Sequence, residues 1–112
     1  MINRKLLVAA AAAIVAAGGG ALAVVPALAA TKTVTVKDNV FAPTALTVAK
    51  GTTVRWVWRG RAAHNVSVSR GPTRFHSPNK VRGSYSKQLG RAGTYAIHCT
   101  IHPGMKMTVK VR

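Results

Sequence analysis

The sequence predicts an all-β fold, a Greek-key β-sandwich of about seven or eight strands confined to residues 30–112. Three observations carry this expectation. Short runs alternate apolar and polar side chains, the period of a half-buried strand. Gly, Pro, Asn and Asp divide those runs at close intervals. Beyond residue 30, no stretch repeats its apolar residues at helical spacing for long enough to form a stable helix.

Taken in order, residues 33–36 alternate polar and apolar, and Asp38-Asn39 ends the run as a turn. Residues 45–48 form a second strand, and Lys50-Gly51 turns the chain into residues 52–58. There Val54, Trp56 and Trp58 share one parity and line a core face, while Arg55 points the other way. Arg59-Gly60-Arg61 reads as a loop, and residues 65–69 alternate again with Val66 and Val68 inward. Residues 70–83 are polar, contain proline and are short of apolar side chains, so they read as an irregular surface connection with at most one short strand. Residues 84–89 are a weak strand, 90–93 a turn and 94–99 a strand. Residues 105–111 close the sandwich with Met107, Val109 and Val111 in phase.

Residues 1–29 stand outside this pattern. Arg4 and Lys5 precede an Ala-rich apolar stretch over 6–25, and Ala27-Leu28-Ala29 has the small-x-small form of a cleavage site. This reads as a secretory signal peptide, which implies a periplasmic or secreted protein whose mature part is one domain, residues 30–112. An uncleaved membrane anchor is the competing reading, although Gly18-Gly19-Gly20 interrupts the stretch. Lipid attachment would need a cysteine at the cleavage site, and the only cysteine is Cys99.

Small exported domains often rely on disulfides, which a single cysteine cannot form within one chain. Metal ligation would occupy the thiol and add folding free energy. The domain holds fifteen of the seventeen Lys and Arg residues and the sole acid, Asp38, a formal charge of +14. Such a charge draws the protein to acidic surfaces: an acidic partner protein, or an anionic membrane or wall surface. No motif interleaves aromatics with the basic residues, so specific nucleic-acid binding is not expected. A monomer is expected.

The chemistry concentrates in the run from Tyr95 to Met105. Cys99, His102 and Met105 follow one another at intervals of three, a spacing suited to metal ligation. A thiolate, an imidazole and a thioether suit a soft or borderline ion, and His64 supplies a candidate second imidazole. Tyr95, Ile97 and Cys99 share a parity, so the strand delivers Cys99 to the interior and turns His98 outward. Pro103-Gly104 then lets the chain fold back. Met107 competes with Met105, but Met107 continues the apolar phase of Val109 and Val111 and reads as core, whereas Met105 closes the loop at the shorter spacing. His76 has no partner at ligand spacing and reads as solvated. Trp56 and Trp58 read as core.

At these residues the chain resembles the blue copper proteins, or cupredoxins, of the plastocyanin and amicyanin branch. The run Cys99-Thr100-Ile101-His102-Pro103-Gly104-Met105 looks like the family's short ligand loop. His64-Asn65-Val66 matches its upstream histidine segment, and Phe41-Ala42-Pro43 with Leu46, Val48, Gly51, Val54 and Trp56 matches its N-terminal strands. The resemblance implies one copper ion held by His64, Cys99 and His102 near a plane, with Met105 as a long axial contact. It implies a non-enzymatic carrier of single electrons between Cu(I) and Cu(II), and a partner with an acidic or apolar face. By similarity Asn65 ties the His64 segment to the Cys99 loop, and His98 offers an electron exit route. Two other functions compete: copper storage or delivery through the same ligands, and a basic polyanion-binding sandwich without a redox role.

Overall fold

A computed structural model describes residues 30–112; the leader expected over 1–29 lies outside the described residues. Eight strands form two four-stranded sheets. One sheet has the order β2 (Val40–Ala42), β1 (Thr31–Lys37), β4 (Thr53–Trp58), β6 (Ser84–Gln88). The other has the order β3 (Ala45–Val48), β8 (Lys106–Val111), β7 (Gly93–His98), β5 (Ser67–Arg70). The pairs β1–β4 and β3–β8 are parallel and the rest antiparallel. There is no helix among the described residues.

The all-β sandwich expected from the alternation is therefore the fold. Only β1–β2 and β7–β8 join neighbours within one sheet; every other connection crosses between sheets. β1–β2 turns through Asp38-Asn39, where Asn39 takes a left-handed φ of 65°, which asparagine tolerates better than most residues. β7–β8 turns through the loop from Cys99 to Met105. The Asp38 carboxylate and His102 both reach His64, so the two turns lie at one end of the sandwich.

Parity explains the core. In β4, Val54, Trp56 and Trp58 are buried while Arg55 is exposed; in β7, Tyr95 and Ile97 are buried; in β8, Met107, Val109 and Val111 are buried. Each large apolar side chain moved from water contributes about 1.5–3 kcal/mol. Trp56 spans the two sheets, its indole N–H donating to Met107 Sδ at 3.4 Å. That contact places Met107 in the core, as its phase predicts.

Three expectations are revised. β2 is an additional short strand. The strand expected over 65–69 begins at Ser67, because Asn65 spends its side chain on the adjoining loops. Past Arg70, the last residue of β5, residues 71–83 contain no strand, only isolated bridges pairing His64 with Lys80 and Ser67 with His76. Nor is that segment purely surface. Phe75 is 9 % exposed and packs its ring against Trp56, Tyr85 and Tyr95 at centroid distances of 6.0–6.3 Å.

Candidate metal centre

Four segments meet at the end where both turns lie. The residues after β4 bring His64, the β7–β8 loop brings Cys99, His102 and Met105, the β1–β2 turn brings Asp38, and residue 80 bonds to the His64 backbone. His64 and Cys99 are buried and His102 is half-buried. Their donor atoms all lie within 4.8 Å of one another. His64 Nδ1 stands 3.0 Å from His102 Nδ1, and Cys99 Sγ stands 3.6 Å from the same nitrogen.

The loop that carries three of these residues is held by its own backbone. Cys99 N–H donates to Met105 C=O at 3.0 Å and Met105 N–H donates to His102 C=O at 3.1 Å. Gly104 adopts φ of 89°, which a side chain would strain. Met105 is 1 % exposed, so the loop folds its side chain inward.

Asn65 joins the His64 segment to this loop. Its backbone N–H donates to Cys99 Sγ at 3.4 Å, its Nδ2–H donates to Thr100 Oγ1 at 2.7 Å, and its Oδ1 accepts from Thr100 N–H at 3.1 Å. The amide also donates to Asn79 Oδ1 and accepts from the Ser67 hydroxyl. The N–H aimed at the sulfur helps to fix the orientation of the Cys99 side chain within the centre.

Sequence reasoning missed two contributors. The Trp58 indole N–H donates to the His64 carbonyl at 3.1 Å, so this tryptophan supports the centre as well as the core. Asp38 does more than end a strand: its carboxylate accepts from His64 Nε2–H at 2.9 Å and from the backbone N–H groups of Arg61 and Ala62. These bonds, the histidine's first, lower its pKa to about 2. The legible signal was its uniqueness, one acid among fifteen bases in the domain.

His76 and His98 take no part in the convergence. They line an open groove of about 640 Å³ beside it, with Arg74, Asn79 and Thr100. His98 is half-buried and turned away from the core, as its parity predicts.

The donor set fits a metal ion of borderline softness: two imidazole nitrogens and a sulfur converging in a largely dry site. A copper-binding profile, described as the copper binding proteins of the plastocyanin/azurin family, matches residues 29–112. The chain belongs to that family. Among solved structures it is similar to a reduced amicyanin variant, at 32 % identity over 73 % of this chain and 82 % of that one, with a TM-score of 0.66. A second amicyanin variant, in its reduced Cu(I) form at pH 4, shares 33 % identity over 79 % of this chain and 86 % of that one, with the same TM-score. A copper-containing nitrite reductase from Thermus scotoductus shares 30 % identity over 87 % of this chain, with a TM-score of 0.67, but the chain spans only 24 % of its length. No curated protein sequence matches the chain. Family, fold and donor set together describe a small blue copper electron-transfer protein.

Proposed function

We propose that His64, Cys99 and His102 would hold one copper ion, with Met105 as a fourth, weaker ligand, and that the mature domain, residues 30–112, is exported and carries single electrons between redox proteins. The observation that carries this is the convergence of imidazole, thiol and imidazole at one buried point. When bound there, copper supplies a one-electron couple between Cu(I) and Cu(II). The protein's part is to hold the donors still. Cys99 is fixed by the Asn65 amide and by the loop's own ladder, and His64 by its backbone pair with Lys80 and by Asp38. Donors held this way need little rearrangement when the charge of the centre changes, which favours rapid exchange.

Electrons enter and leave through a protein surface. His102 is the one half-exposed member of the set, and Ile101 beside it in the loop presents an apolar side chain to solvent. The exposed large hydrophobics Val40, Val81 and Ile101 all belong to segments at the ligand end. Scattered exposed apolar residues are ordinary, but each of these lies next to the site in the chain, Val40 two residues after Asp38, Val81 directly after Lys80 and Ile101 directly before His102, and together they offer an apolar contact face. With a domain charge of +14, that face suits a partner whose own contact surface is apolar within an acidic rim. The same charge supports residence at an anionic membrane or wall surface.

The domain works as a carrier, not as an enzyme. It has one carboxylate side chain, and that one is engaged with His64, which leaves no carboxylate free for substrate chemistry. The test is the visible absorption and electron paramagnetic resonance of the Cu(II)-loaded domain beside Cys99→Ser. An intense thiolate-to-copper band with small copper hyperfine splitting, lost in the variant, is expected. A pale tetragonal spectrum that ignores the substitution would refute the proposal.

A further inference from the structure

The single acidic side chain of the protein sits against one of its candidate ligands, and the surrounding chain is built to keep it there. Asp38 lies at the β1–β2 turn, and its carboxylate receives three kinds of donor: His64 Nε2–H at 2.9 Å, Arg61 N–H at 3.0 Å to each oxygen, and Ala62 N–H at 2.9 Å. Gly60 makes the approach possible, since a Cβ there would stand 2.3 Å from Asp38 Oδ1 and 2.8 Å from its backbone nitrogen. Among the described residues the only ion-pair contact of Asp38 is His64; no lysine or arginine side chain bonds to it. In a domain of fifteen basic residues this one negative charge is neutralised by no guanidinium or ammonium group and faces a histidine instead.

His64 is wholly buried, and its other polar groups are already engaged. Its N–H donates to Lys80 C=O, and its C=O accepts from Lys80 N–H and from the Trp58 indole. With Nε2–H given to Asp38, the neutral ring has only a lone pair at Nδ1, the atom that faces His102 and Cys99.

We infer that Asp38 is a positioning residue that selects the Nε2–H tautomer of His64, aims its Nδ1 lone pair into the metal centre, and holds the centre's reduction potential below the value it would have with a neutral partner. A carboxylate behind a ligating imidazole raises the basicity of the ligand, and an added negative charge favours the more highly charged, oxidised metal. The carboxylate is 42 % exposed, so solvent screens part of this effect. The redox half of the inference rests on the copper reading above; the tautomer half does not.

Two measurements test it. In the metal-free protein, long-range 1H–15N correlation of the His64 ring is expected to show a single Nε2–H tautomer, replaced by a mixture in Asp38→Ala. Should the alanine variant fail to fold, Asp38→Asn, which keeps the shape and an acceptor oxygen but removes the charge, tests the inference through the potential. In the copper-loaded protein, Asp38→Asn is expected to keep the blue band while its midpoint potential rises. The expected size is about tenfold in the oxidised-to-reduced ratio, or about 59 mV for one electron, and Asp38→Glu is expected to recover part of it. An unchanged tautomer in Asp38→Ala, or a blue Asp38→Asn with the wild-type potential, overturns the inference. Absence of a blue band in the wild type would instead remove the copper reading and leave the tautomer result standing.

Discussion

Asn65→Ala removes one buried amide that stitches together three stretches of chain, and its cost follows from its bonds. The side chain donates to Thr100 Oγ1 and Asn79 Oδ1 and accepts from Thr100 N–H and the Ser67 hydroxyl. Neutral hydrogen bonds contribute about 0.5–1.5 kcal/mol each, so four bracket roughly 2–6 kcal/mol. Thr100 and Asn79 are exposed and recover water when the amide is gone, whereas Ser67 is buried and does not. The lower part of the range therefore applies, about 2–3 kcal/mol. For a domain of this size, 1 kcal/mol lowers Tm by about 4–8 °C, so a fall of about 10–20 °C is expected. Thermal unfolding of the metal-free protein, followed by tryptophan fluorescence, measures it directly. Because the amide also holds the Cys99 loop to the His64 segment, the gain in Tm on adding copper should shrink in the variant, since that gain reports affinity for the native state. A Tm within about 3 °C of wild type, with an undiminished copper increment, would show that Asn65 neither stabilises the fold nor organises the centre.

Two further substitutions separate core from centre. Phe75→Ala empties a site walled by Trp56, Tyr85 and Tyr95 and is expected to cost about 3–5 kcal/mol in urea unfolding, with Phe75→Leu recovering a large part; a near-neutral result would mean that this ring does not fill the core. Met105→Leu and Met107→Leu conserve volume, so each should cost less than about 1.5 kcal/mol. The first should keep the blue band but move the reduction potential through the axial position. The second should leave the spectrum and potential unchanged and lose only the bond from the Trp56 indole. The reverse pattern would exchange the roles of the two methionines.

What could be read from the sequence was whatever depends on local order. Alternation located the core face of β4, β7 and β8, and parity placed Cys99 inside and His98 outside, because side-chain direction in a strand is set by counting. The loop residues His102 and Met105 were legible for the same reason, being tied to Cys99 by spacing alone. His64 became legible only once those partners were known. Asp38, Phe75 and the second role of Trp58 were not visible, since each depends on which distant segment arrives beside it. Asp38 meets His64 across 26 positions, and Phe75 enters the core from a stretch whose composition reads as surface. Such contacts follow from the crossing connections between sheets, which the alternation does not encode.

The backbone bonds that close the β7–β8 loop carry a consequence for how this protein can change. Cys99 and Met105 face each other across a hydrogen bond, so the sandwich ends where that bond forms, and the residues between them answer to the centre and not to the core. Thr100, Ile101, Pro103 and Gly104 are all exposed. The loop is in this sense a replaceable cap on a finished sandwich end. Its length and composition can vary while the sheets keep their register, altering the reach of His102 and the face offered to a partner without reopening the fold. Selection can then tune partner and potential at one short stretch of chain, while the eight strands beneath it, Trp58 apart, answer to stability.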